Sequence, residues 1–276
     1  MSSRRRTATG ITALTCGAAL LGGFAGAGTA RAGDSGGEGD LAGKSAEQVS
    51  ELARKELLAA TSLRLRTSTN VDATRLDITM NRSGDCTGSI GKGRYGKVEL
   101  IKHGRQVWLK PDDAFWKGQL SADAAASVIA RVKGRYLHGT TDDPLPASIA
   151  AACDLAAFQK QTAGSGSPES PTPTSPGSSP QPKLTLRKGK PTVQEGTRVL
   201  PIVKTRGGAS QTLYVTIDGK HVPRRLTAEV DHRTATILLS NYGTPVSPKT
   251  PTAAQSLAIS EVEDQLPGAK PPSQGT

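Results

Sequence analysis

The 276-residue chain predicts an α+β fold, an antiparallel β-sheet with helices laid on one of its faces. Three observations lead there. A stretch of helical period at residues 45–60 runs straight into a series of stretches of period two. A Ser/Pro-rich break at 162–183 is followed by a second series of period-two stretches. That second series carries no helix of its own, so its apolar face needs the cover of the first part.

Ser45 opens the helix, and Gln48 three residues later completes a capping box. Val49, Leu52, Ala53, Leu57 and Ala60 recur at helical spacing with Glu51, Arg54, Lys55 and Glu56 between them, which is one apolar stripe. In "LRLRTST", Leu63, Leu65 and Thr67 then alternate with Arg64, Arg66 and Ser68; in "RLDITMN", Leu76, Ile78 and Met80 alternate with Arg75, Asp77 and Thr79. "CTGSI", "KVELIK" and "RQVWLK" continue an antiparallel meander with one apolar face. Residues 121–132 form a helix with Val128, Ile129 and Val132 as its stripe, and residues 144–159 one or two short helices carrying Cys153.

The stretch 162–183 is Ser, Pro, Thr and Gly almost throughout and offers nothing to a core, so it reads as an inserted flexible loop. "LTLRKG", "PTVQEG", "TRVLPIVK", "QTLYVTID", "HVPRRLTAEV" and "TATILLSNYG" are strands, with "IDGK" a tight-hairpin signal between two of them. One domain, residues 44–247, follows from the open strand edge and helix stripe that the first part offers the second. Residues 33–43 and 248–276 are Gly-rich and Pro-rich ends without a core pattern, apart from a short helix near 253–262.

Residues 1–32 read as a secretory signal peptide: Arg4–Arg6, an apolar run, and Ala30-Arg31-Ala32 as cleavage site. The expected location is therefore outside the cell or on the outer face of its membrane. Cys16 follows Ala13-Leu14-Thr15, a poor lipid-attachment context; it is one more leader residue, with lipidation of Cys16 as the alternative. Losing Arg4, Arg5, Arg6 and Arg31 lowers the formal charge from +11 to +7. A basic exported protein suits an anionic membrane or cell-wall surface. With aromatics at 3% and no basic run interleaved with them, nucleic acid is not an expected partner. A monomer is expected.

Cys86 and Cys153 remain after cleavage, and in an oxidising compartment they form one disulfide. His103, His138, His221 and His232 are scattered, so no metal site and no cofactor is expected. Gly91, Gly93 and Gly96 in "SIGKGRYGKV" imitate a kinase glycine loop and part of a P-loop. A kinase's D-F-G is missing, and Val98 stands where a P-loop needs Ser or Thr, in a segment that alternates as a strand; the glycines read as a hairpin turn. "GDSGG" at 33–37 imitates a protease nucleophile with no catalytic partners before it. Asp112-Asp113 and Asp142-Asp143 are paired acids in turns, where Asp serves the backbone. Nothing marks a catalytic residue, and a non-enzymatic protein is expected, with a hydrolase the third choice of function. Trp108, Phe115 and Trp116 make the densest aromatic patch, either ordinary packing or a cavity lining.

"TSLRLRTS", "GSIGKG…VELIKHGRQVWLKPDDAFWK", "RYLHGTTDDP", "CDLAAF" and "TLYVTIDGK…LLSNYGTPV" together resemble actinobacterial lipoproteins of the LppX/LprG type, which share the LolA-like lipoprotein-carrier fold. The resemblance spans residues 41–247. It implies a strongly curved sheet, a half-barrel, with helices on its concave side, and a cavity that takes a hydrophobic or lipid ligand. Between sheet and helix 46–60, the candidate lining is Leu63, Leu65, Ile78, Met80, Trp108 and Leu213. The alternative is a cell-surface interaction module with a solid core and no ligand.

Overall fold

The computed structural model describes residues 41–164 and 184–265. The expected signal peptide, Cys16 and the "GDSGG" string lie outside the described residues. Helix α1 (Ala46–Ala59) starts on the capping box: Gln48 N–H donates to Ser45 Oγ at 3.2 Å, and Ser45 N–H to Gln48 Oε1 at 2.8 Å. Five strands follow, β1 (Ser62–Thr69), β2 (Thr74–Asn81), β3 (Cys86–Lys92), β4 (Lys97–His103) and β5 (Gln106–Pro111). Then come α2 (Asp113–Gln119), α3 (Ala122–Val132), β6 (Tyr136–Thr140), α4 (Pro144–Ala150) and α5 (Leu155–Gly164). Asp112 and Ser121 cap α2 and α3 with their side chains. The second series is β7 (Leu184–Lys188), β8 (Thr192–Gln194), β9 (Thr197–Arg206), β10 (Ala209–Thr216), β11 (Pro223–Val230) and β12 (Arg233–Ser240), and β13 (Ser256–Ala258) is the last described strand.

All strands belong to one open sheet, antiparallel except at one edge, in the order β13-β6-β5-β4-β3-β2-β1-β12-β11-β10-β9-β7, with β8 paired to β9. The two series meet where β1 pairs with β12, Leu65 opposite Leu239. A twisted sheet of this width curls. The helices fill its concave side: α1 packs on β9, β10 and β11, α4 on β4, β5 and β6, and α5 touches α1 between them.

Strand alternation sorts the side chains. Leu63, Leu65, Ile78, Met80, Leu100, Val107 and Leu109 meet Leu57 of α1 and Leu155 of α5 in one cluster. Leu200, Ile202, Leu213, Val215 and Leu226 meet Val49 and Ala53 of α1 in a second. The α1 stripe thus serves both halves of the sheet. Cys86 and Cys153 form the expected disulfide, Cα atoms 5.6 Å apart, tying β3 to the turn after α4.

Four stretches differ from the sequence expectation. The short helix expected near 253–262 is instead β13 flanked by 3₁₀ turns: β13 pairs in parallel with β6, and Leu257, Ile259 and Val262 bury themselves against Trp116, Val128, Val132 and Leu137. The three-residue β13 places Leu257, and a short 3₁₀ turn places Ile259 and Val262, so neither helical nor strand period announces them. At the other end, Leu41 is buried, and Lys188 Nζ donates to its carbonyl at 3.1 Å. Thr162, the first residue of the expected loop 162–183, is also buried and belongs to α5. The "IDGK" connection is longer than a two-residue hairpin: β10 ends at Thr216 and β11 begins at Pro223, and Thr216 Oγ1 accepts from Val222 N–H at 2.9 Å.

Candidate functional site

The glycine-rich motif is a hairpin connection between β3 and β4, as expected, and its glycines answer to the backbone. Gly96 has φ 91°, and a Cβ there would lie 2.1 Å from the Phe115 nitrogen. Asp112 caps α2 through Phe115 N–H (2.8 Å) and also accepts from Lys97 N–H (3.0 Å). Asp143 accepts from Thr140 N–H at 2.6 Å. Both acids serve the chain's own backbone. Among the described residues no three His, Cys, Asp or Glu side chains cluster as metal ligands.

The six candidate lining residues do not share one cavity. Leu63, Leu65, Ile78 and Met80 come together, and Leu213 joins the second cluster. Leu57, Leu63, Ile78 and Met80 are 0% exposed, so no water-sized space adjoins them. Sheet and α1 are packed solid there. Trp108 lies on the opposite, convex face: its neighbours Val107 and Leu109 point into the core, and its ring stacks on His138 with centroids 4.8 Å apart. Three consecutive apolar residues hide which way a strand faces.

One cross-strand row on the concave face is buried at its ends and half-buried in its middle. Register places Val98, Ile90, Leu76, Thr67, Ile237, Leu226, Leu213 and Ile202 side by side. The ends of the row are buried, Val98 in the first cluster and Leu226, Leu213 and Ile202 with α1 in the second. The middle, Ile90, Leu76, Thr67 and Ile237, is only half-buried. It lies between the strands that α1 packs on and those that α4 packs on. Half-buried Phe115, Ile149 and Phe158 from the helices pack against the same cluster. These side chains make a half-buried apolar row across β3, β2, β1 and β12.

The convex face is polar. Arg64, Asp77, Thr79, Ser89, Glu99 and Tyr136 line a groove of about 340 Å³. Arg64 holds Asp77 in a two-pronged pair at 2.7 and 2.6 Å. That pairing keeps the Asp77 carboxyl below its ordinary range.

No family model matches the chain, and no curated protein matches it by sequence. Among solved structures it is similar to LprF of Mycobacterium bovis, at 12% identity and a TM-score of 0.47, over 75% of this chain and 97% of that one. It is similar to the Mycobacterium tuberculosis lipoprotein LppX, at 12% identity and a TM-score of 0.42, over 73% of this chain and 97% of that one. An uncharacterized conserved protein of Thermus thermophilus aligns at 10% identity and a TM-score of 0.32, over 77% of this chain and 98% of that one.

Proposed function

We propose that this is an exported, non-catalytic binding protein that seats an apolar ligand, such as the acyl chain of a lipid, in the trough of Ile90, Leu76, Thr67 and Ile237. The observation that carries this reading is the half-buried middle of a row whose two ends are buried. A straight apolar row across four strands fits an extended chain. The three large apolar side chains each have roughly 1 kcal/mol of burial still to gain, about 3 kcal/mol together. Such a site binds weakly and reversibly, as a carrier must. The basic composition suits work at an anionic envelope surface.

The test is titration of delipidated protein with an environment-sensitive fatty-acid probe. Leu76→Asp and Ile237→Asp should each weaken binding at least tenfold, while Leu184→Asp, on an exposed edge-strand residue, should not. Equal binding by all variants removes the trough. The filled core at Leu57, Leu63, Ile78 and Met80 favours a second reading, a solid interaction module. Failure of the native protein to take the probe at all selects it.

A further inference from the structure

The convex face carries arginines that the trough does not use. Arg66 on β1 and Arg225 on β11 both pair with Leu238 of β12, so they flank it in one row. With strands about 4.8 Å apart, their Cα atoms lie roughly 10 Å from each other. Arg224 joins them through a break in register: Tyr214 pairs with Arg225 but Val215 pairs with Pro223, which leaves Arg224 unpaired in the ladder. A bulge of this kind re-aims a side chain. Nη2 of Arg224 comes to 3.8 Å from Glu195 Oε2, and Nη2 of Arg66 to 3.1 Å from the same oxygen. Arg225 donates to Oε1 of neighbouring Gln194 at 3.0 Å. Three guanidinium groups from two strands therefore gather at the tip of the β8–β9 hairpin.

That tip is a two-residue turn, Glu195 at φ 46° and Gly196 at φ 74°. Turns of this geometry favour Asn, Asp or Gly, and an ordinary side chain in the left-handed region costs about 1 kcal/mol. Glutamate is a poor turn residue here; its carboxylate is what the position uses. The carboxylate leaves the arginines under-served. The Nε atoms of Arg66, Arg224 and Arg225 are all buried with no hydrogen-bond partner among the described residues. Arg64 on the same face is already matched by Asp77. Three positive charges thus gather at the Glu195 carboxylate, while Asp77, opposite Arg66 in the ladder, is held by Arg64.

We propose that Arg66, Arg224 and Arg225 form a binding site for a phosphate group, carried by a soluble monoester or by a lipid headgroup, and that Glu195 is its built-in occupant, displaced when phosphate arrives. A phosphate monoester brings about −1.5 to −2 charges and three acceptor oxygens, a closer match to the surplus than one carboxylate. The planar guanidinium fork suits such oxygens. Displacement is mechanically easy. β8 is held to β9 over only three residue pairs, and Val193 at its centre is 60% exposed. The site is on the face opposite the trough and stands independently of the ligand proposed there.

The whole protein is titrated with phenyl phosphate and, separately, with phosphatidylcholine vesicles containing phosphatidic acid. If Glu195 fills the site about nine-tenths of the time, Glu195→Ala should bind about tenfold tighter, because apparent affinity scales with the open fraction. Arg66→Gln with Arg224→Gln should lose the binding. Response to phenyl phosphate identifies a phosphorylated solute as sufficient; response to vesicles alone identifies a headgroup. Equal affinity of native protein and Glu195→Ala, or retention of binding by the double arginine variant, overturns the proposal. The Glu195→Ala readout is a gain, which misfolding cannot imitate, and the fatty-acid probe reports the other face separately.

Discussion

The side-chain nitrogen of Gln159 on α5 donates to the carbonyl of Leu57 at 2.8 Å and to that of Ala60 at 2.9 Å. A helix leaves its last carbonyls without partners, and a buried end must find them elsewhere. Gln159 is 6% exposed, so this cap is shielded from water, and it joins α1 to α5 on the concave side. Gln159→Leu keeps the volume and removes the donor. It should cost about 1 kcal/mol, because the Leu57 carbonyl still accepts from Ala60 N–H at 3.2 Å and the Ala60 carbonyl from Arg82 Nε at 3.0 Å. Urea unfolding checks this, and an unchanged midpoint would remove Gln159 from the account.

The disulfide should carry more. Cys86 and Cys153 are 67 residues apart in sequence, and closing a loop of that length is worth about 4 kcal/mol in the chain-entropy model. Replacing both by Ala should lower stability by roughly that amount. Cys86 is 0% and Cys153 1% exposed, so a reductant should reach them only after unfolding. Thiol labelling after brief reduction, with and without denaturant, distinguishes the two conditions.

The glycine motif separates a phosphate loop from a hairpin by the order of its sensitivities. An alanine Cβ at Gly96 would meet the Phe115 backbone at 2.1 Å in a left-handed conformation, while at Gly91 the nearest atom is 4.0 Å away. Gly96→Ala should destabilise by about 3 kcal/mol or more, and Gly91→Ala by about 0.5 kcal/mol. Thermal melts of the two variants decide; similar losses in both would contradict the hairpin geometry.

Acid stability should depend on Asp85. It accepts from Gly104 N–H at 3.0 Å and Asn81 Nδ2 at 3.3 Å, and faces His103 Nδ1 at 3.2 Å. The Gly104 N–H foremost holds its carboxyl below the usual value of 3.8. The folded state then binds the proton more weakly than the unfolded chain. The stabilisation is complete above the unfolded value and is lost as pH falls through the lower, folded one. Melting temperature should drop below about pH 4, and Asp85→Asn should flatten part of that slope. Parallel pH profiles for the two proteins would exclude the contribution.

Local elements were legible in the sequence because their signals are local. Ser45 with Gln48 marked the start of α1, Ser121 that of α3, and alternation marked the strands from Leu63 to Met80. Two cysteines sufficed for the disulfide. What stayed hidden depends on register between distant strands. The proposed trough needs Leu76, Thr67 and Ile237 in one row, and nothing near any of them says so. The arginine group needs both the β1–β12 pairing and an irregularity at Arg224. Trp108 was assigned to the wrong face because Val107 and Leu109 are apolar as well. A short helix was expected near 253–262, but the burial of Leu257, Ile259 and Val262 was not legible, because it comes from docking and not from any period of their own.

The pairing of Leu65 with Leu239 dictates when this molecule can be finished. β1 is among the first strands to leave the ribosome, and one of its two neighbours is among the last. Until β12 exists, β1 keeps an unsatisfied hydrogen-bonding edge, and the interval lasts while residues 70–240 are made. Contacts so far apart along the chain make for slow folding, since the loop between them must close before the pairing rewards it. The waiting edge is dressed for the delay: Arg64 and Arg66 alternate with its leucines, and like-charged edges of two unfinished chains repel each other. The arginines that line the convex face of the mature protein thereby also guard its nascent form against pairing with a sister chain.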